Sequence, residues 1–275
     1  MSNKHASLNA LFTDIADAIR EKTGDTASII ADDFPDVIRD RLRAKPYLTF
    51  SSPNSFTLKV NDATKHWDGT LEYSTDASAW STWDGTTTLS SATSGSDNVL
   101  YLRGTGNTVI TGGNSNYKWV LTGSDISCIG NIENLLDYAT VESGVHPTMA
   151  ASCYEPMFDG CTSLTQAPAL PATTLAEGCY ASMFSGCTSL TQAPALPAAT
   201  LADYCYYGMF NGCTSLKLSS TKTGEYTQEY RIPTTGTGTT ASNALTNMFA
   251  VTGGTFTGTP EINTTYYLSN TNTIV

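Results

Sequence analysis

The chain has 275 residues, a net charge of −11, and only 14% Asp, Glu, Lys and Arg, against about 25% in an average soluble protein. So acidic a chain lacks the basic face that neutralises phosphates, which excludes nucleic acid as a partner. Thr is the commonest residue at 44, and with 14 Tyr it indicates a folded, β-rich chain of one large or several small domains.

Residues 1–45 form a charged segment with seven of the 14 basic residues. Met1–Asn9 has no apolar core of signal-peptide length, so export by the usual route is not expected. Leu8, Leu11, Phe12, Ile15, Ala16 and Ile19 form one stripe of a predicted helix between Ser7 as N-cap and Gly24 as stop. A second helix is predicted over about 33–42, with Asp33 as cap, Pro35 in the first turn, and Phe34, Ile38 and Leu42 on one face. Two short helices cannot bury both stripes alone. Either they pack on the rest of the chain or residues 7–45 are a docking and oligomerisation segment, for which we expect a homotrimer.

From 46 to 115 the pattern changes to strands: Tyr47–Ser51, Ser55–Val60, Gly69–Ser74, Trp80–Trp83, Asn98–Arg103 and Val109–Thr111. Turn signals separate them, such as Asp-Gly at 68–69 and 84–85. We expect a small β-sandwich here. Trp67, Trp80 and Trp83 read as core residues, with sugar stacking as the alternative.

Residues 116–216 contain a repeat. Met157-Phe158-Asp-Gly-Cys161-Thr-Ser-Leu164 returns at Met183–Leu190 and at Met209–Leu216, a step of 26 each time. Cys153, Cys179 and Cys205 share the register, as do Tyr154, Tyr180 and Tyr206. A fixed period in the twenties predicts a solenoid whose units bury their apolar side against one another. Leu164, Leu190, Leu216, Leu170, Leu196, Leu175, Leu201, Phe158, Phe184, Phe210 and both Cys rows are expected inside. Each Met-Phe-x-Gly-Cys is expected to form a helical turn ending at the Gly. The Ser-Leu-Thr stretch that follows should supply the strand.

Seven Cys is an odd number, against a full set of disulfides, and six of the seven read as buried thiols. No CxxC occurs, so no metal site is predicted. A Cys nucleophile needs a His base, and His5, His66 and His146 are the only candidates. We expect no enzyme activity and no cofactor. Each Tyr of the row follows an inward Cys, so the row reads either as an outward binding face or as a half-buried stack. Tyr154, Tyr180, Tyr206 and the neighbouring Tyr207 are the candidate binding residues. Positions 155, 181, 207 and 159, 185, 211 vary between copies and are expected outside. The longest uncharged stretch, 178–202, is broken by Pro194 and Pro197 and cannot cross a membrane. After Leu216, Met248-Phe249 follows Met209 by 39, or 26 plus 13. Residues 217–275 are therefore read as a degenerate last unit and a C-terminal cap, with the extra 13 residues in a hairpin around Tyr226–Ile232.

The block MF-x-GCTSLT-x-AP-x-LPA-x-TLA-xx-CY resembles the BspA-type leucine-rich repeats of bacterial surface proteins and gut-phage proteins, over about 100 residues. Leu121–Tyr138 resembles the start of such an array. Leu8–Gly24, with Ala31-Asp-Asp-Phe-Pro35, resembles the N-terminus of phage tail and tail-fibre proteins, where such segments attach the polypeptide to the virion. The resemblances imply binding or display rather than catalysis. They point to a virion-located tail-fibre, receptor-binding or other displayed protein, made in a bacterial cytoplasm, with other virion proteins and a host surface glycan or protein as partners. A capsid-decoration or adaptor protein, and a bacterial adhesin or carbohydrate-binding module, are the alternatives.

Overall fold

Thr and Tyr alternating with Leu and Phe dictate strands, and the chain is mainly β, with several sheets and one α-helix among the described residues. The structure is a computed structural model that describes residues 45–233 and 241–275. The helices and trimer segment expected over 7–45 lie outside the described residues, apart from Lys45. Residues 46–275 form one compact unit.

In β1 (Leu48–Ser52), Leu48 and Phe50 are buried while Thr49 and Ser51 are half-buried. In β7 (Asp97–Thr105), Leu100 and Leu102 face the core and Tyr101 and Arg103 the other side. Around this pair run β3 (Thr70–Ser74), β4 (Ser81–Trp83) and β9 (Ile126–Ile129), in the antiparallel order β9-β1-β7-β3-β4. A short β6 (Ala92–Ser94) also pairs with β7. A second sheet, of β5 (Leu89–Ser90), β2 (Thr57–Val60) and β8 (Trp119–Thr122), shares the same hydrophobic core.

The boundary expected at 115/116 is therefore crossed by two ladders. β8 completes β2 and β9 completes β1, so the sheets do not close within 46–115. Val109–Thr111, expected as a strand, is not one. The N–H groups of Ile110 and Thr111 donate instead to the Cys153 carbonyl. Helix α1 (Asn134–Glu142) packs on β7. It needs Gly104, because a Cβ there would lie 1.7 Å from the Leu135 carbonyl oxygen.

From Ser152 the chain winds in near-identical layers whose N–H groups alternate in direction. Those of Glu155, Met157, Asp159 and Cys161 donate three residues back. Those of Ser152, Tyr154, Phe158 and Gly160 donate to the carbonyls of Glu177, Cys179, Met183 and Ser185 in the next layer. The pattern repeats from 178–187 onto 203–211 and from 204–212 onto 242–250. Pro156 has no N–H, so it leaves out the rung that Ser182 and Gly208 supply.

The helical turn expected at each Met-Phe pair is not formed. Every fourth residue has positive φ, as at Gly178, Ser182 and Gly186 (60°, 51° and 69°), except at Pro156 in the first layer. Each such residue turns alternate N–H groups out toward the neighbouring layer instead of four residues back. At the third position of the set a side chain would also meet the adjacent layer: a Cβ on Gly186 would lie 3.4 Å from Gly160 Cα.

β10 (Leu164–Gln166) begins within the first Ser-Leu-Thr stretch and β11 (Gln192–Ala193) just after the second, and both continue β9 as parallel strands. The third copy departs. Its β12 (Lys217–Ser219) joins a separate sheet with β13 (Tyr226–Arg231), β14 (Gly253–Gly254) and β15 (Thr265–Ser269), in the order β13-β15-β12-β14. The vacated edge of β11 is taken by β16 (Thr273–Ile274), running parallel to it. The hairpin expected around Tyr226–Ile232 does not form, because β13 pairs with β15 and so carries Tyr230 edge-on against Phe249.

Asn272, only 1% exposed, locks this exchange. Its Oδ1 accepts from Lys217 N (2.9 Å), and its Nδ2 donates to the carbonyls of Thr191 (3.2 Å) and Ser215 (3.0 Å). Asn272→Ala is expected to cost about 1–3 kcal/mol by leaving buried backbone groups unpaired. Urea denaturation measures this, and an unchanged midpoint would contradict the assignment.

Candidate functional site

The repeat places its aromatic rings in columns. Phe158, Phe184, Phe210 and Phe249 stack at 5.7, 5.7 and 5.6 Å with interplanar angles of 10°, 8° and 5°. Tyr154, Tyr180 and Tyr206 stack likewise, at 5.5 and 5.9 Å and 3° and 7°. All three tyrosines are buried, at 0%, 0% and 1% exposure. The outward reading of this row is thus corrected. Opposite facing of neighbours is a rule of extended strands, and these residues lie in turns, so Cys153 and Tyr154 both point inward. Tyr154 Oη donates to the Ile132 carbonyl, while Tyr180 Oη is buried with no hydrogen-bond partner among the described residues.

All seven cysteines are free and buried. Cys161, Cys187 and Cys213 donate their S–H to the carbonyls of Trp119, Phe158 and Phe184 at 3.3, 3.1 and 3.0 Å. Burial pushes the thiols of Cys161, Cys205 and Cys213 up to about 12, and those of Cys128, Cys153, Cys179 and Cys187 upward too. They are protonated at neutral pH and so poor nucleophiles. Neither described histidine is bonded to a thiol. His66 stacks on Tyr117 and binds Asp62, and His146 Nδ1 lies 2.8 Å from Glu133 Oε2. His5 lies outside the described residues. The Glu133–His146 pair lines a cleft of about 330 Å³ with Met149, Thr173 and Leu175. No group of three or more His, Cys, Asp or Glu suited to a metal ion occurs among the described residues. Nor is any helix there long and apolar enough to cross a membrane.

Of the four candidate tyrosines, only Tyr207 is exposed, at 36%, beside Tyr204 at 40% with ring centroids 5.9 Å apart. Among the variable positions, Glu155, Asp159, Ser185 and Asn211 reach solvent in part or fully, while Ala181 is buried. Trp67 and Trp83 are core residues, at 3% and 1% exposure. Trp80 is not; it is half-buried on the outer side of the sheet.

There it belongs to a cluster that the sequence reading missed. The Arg103 guanidinium lies 4.0 Å from the Trp80 ring centroid and 4.4 Å from that of Tyr138 on α1. Its Nε donates to Glu72 Oε2 at 2.8 Å, the cross-strand pair that the β3–β7 register sets opposite one another. Tyr47 packs on Trp80 (5.6 Å) and on Tyr101 (5.1 Å). The signal available was the alternation Leu100-Tyr101-Leu102-Arg103, which puts a ring and a cation on the side away from the core.

No known protein family, curated protein or solved structure matches this chain.

Two measurements check the interior. Tyr180→Phe removes an unpartnered hydroxyl and is expected to keep or raise stability, whereas Tyr180→Ala opens the column and is expected to cost about 3–5 kcal/mol. A Tyr180→Ala variant with unchanged melting would contradict the burial. The second is alkaline titration. Folded thiol pKa values lie above the unfolded value of about 8.5, so the folded state holds protons that the unfolded chain releases. The stability this confers is complete below about pH 8.5 and is lost as pH rises toward the folded values near 12. The urea midpoint should be level from mildly acidic to neutral pH and then fall steadily. A midpoint that stays level far into the alkaline range would refute the assignment.

Proposed function

We propose that this chain is a non-enzymatic phage virion protein, a tail-fibre, receptor-binding or otherwise displayed component that adheres to a host surface. On this reading the stacked layers are a short leucine-rich-repeat solenoid of the BspA type, closed by the β12–β15 sheet as its C-terminal cap. The observation that carries it is the division of chemistry between inside and outside. The thiols and the phenol row of the repeats are sealed in a dry column. Mostly small or uncharged side chains, together with the Tyr204–Tyr207 pair and the Trp80 cluster, are left for the outside. A scaffold of this kind presents surface. Each contact is weak, and many copies on one particle supply the avidity. The resemblance of the N-terminal segment to tail proteins supports attachment through residues 7–45, with a homotrimer as the unit.

Immunogold labelling with an antibody to residues 46–275 tests this on particles released by cells that make the chain. Label at the tail tip or fibres, with adhesion of the multimerised chain to host cells, is the expected result. Label on the head would favour capsid decoration. Absence of label from particles would overturn the virion assignment.

A further inference from the structure

The outer side of the β4-β3-β7-β1 sheet carries an arrangement that packing alone does not demand. Arg103 is clamped between Trp80 and Tyr138, and its side chain is only 19% exposed. Its sole polar contact among the described residues is Nε to Glu72 Oε2, so the terminal guanidinium nitrogens have no hydrogen-bond partner there. Glu72, 27% exposed, likewise keeps Oε1 without one. Around them stand the half-buried rings of Tyr47, Trp80, Tyr101 and Tyr138.

Donors fixed in one plane, an acceptor beside them, and the half-buried Tyr47 and Tyr101 rings, which the guanidinium does not cover, make up one recognition set. It suits a pyranose, whose adjacent hydroxyls need a donor and an acceptor and whose C–H face stacks on an aromatic ring. Clamping between two rings removes most of the rotamer freedom that an arginine otherwise loses on binding. The charge of the ligand also follows. Glu72 neutralises Arg103, and the whole chain carries −11, so an acidic sugar gains no local attraction and meets long-range repulsion.

We infer that Trp80, Arg103 and Glu72, with Tyr47, Tyr101 and Tyr138 around them, bind a neutral hexopyranose unit of a surface glycan. The inference rests on the adhesion reading and names the ligand class of one of its sites.

The four tryptophans give four indole N–H signals in a ¹H–¹⁵N correlation spectrum of the full chain, and Trp67, Trp83 and Trp119 are all buried. Methyl α-glucoside, α-galactoside and α-mannoside are titrated singly to tens of millimolar. At least one is expected to shift the Trp80 signal saturably and leave the other three in place. Arg103→Lys should weaken that sugar by about tenfold or more, the unmoved core signals showing that the fold persists. Glucuronic acid should bind more weakly than glucose. The site falls if no pyranoside gives a saturable shift, if Arg103→Lys binds as well as the native chain, or if the uronic acid binds more tightly. A chain that adheres to cells with no Trp80 shift also removes the site but leaves the display role. A Trp80 shift without adhesion keeps the site and removes the display role.

Discussion

Ring stacking at a fixed interval is the constraint on which the rest of the structure depends. From Trp67 through Trp83 and Trp119 to Phe158, Phe184, Phe210 and Phe249, each ring touches the next, with centroids 5.2 to 6.1 Å apart. Within the repeats the rings are nearly parallel. At the ends they turn edge-on: Trp119 meets Phe158 at 88° and Tyr230 meets Phe249 at 77°. A parallel column continues only if the next layer offers the same ring at the same place, whereas an edge-on ring ends the series. The two sheet regions are thus joined to the layers through one hydrophobic core.

Backbone polarity imposes the second condition. A chain wound so tightly around a dry column must pair its N–H groups without a helix or long strands. The layers solve this by sending alternate N–H groups to the layer beside them and the rest three residues back. That solution puts a left-handed residue at every fourth position except Pro156, and Gly, Ser and Asn fill most of those places. The S–H of Cys187 and Cys213 adds a donor to a carbonyl of the preceding layer, and that of Cys161 to the Trp119 carbonyl of β8. Two buried polar atoms without a hydrogen-bond partner among the described residues, Trp67 Nε1 and Tyr180 Oη, lie on the aromatic columns themselves.

Much of this was legible in the chain. The 26-residue step names the residues that stack, and Cys161, Cys187, Cys213 and the leucines follow from it. What was not legible depends on contacts between distant segments. The Tyr row reads as outward only if the chain is extended there, and nothing local to Cys153-Tyr154 distinguishes a strand from a series of turns. The pairing of β2 with β8 joins residues about sixty apart, which no local pattern encodes. Trp80, Trp67 and Trp83 look alike in sequence. Only the partner strand and the helix above decide which of them stays at the surface, and the same contacts bring Arg103 to it.

The insertion of β16 beside β11 bears on how such a chain can change in length over generations. The last strand lies along the second copy, and Asn272, just before it, grips the second and third. Tandem duplication of a 26-residue unit upstream of Thr191 would lengthen the column and carry the intact closure along with it. A unit gained downstream of Leu216 would separate Asn272 from Lys217. Copy number is therefore free to drift on one side of this junction and held constant on the other.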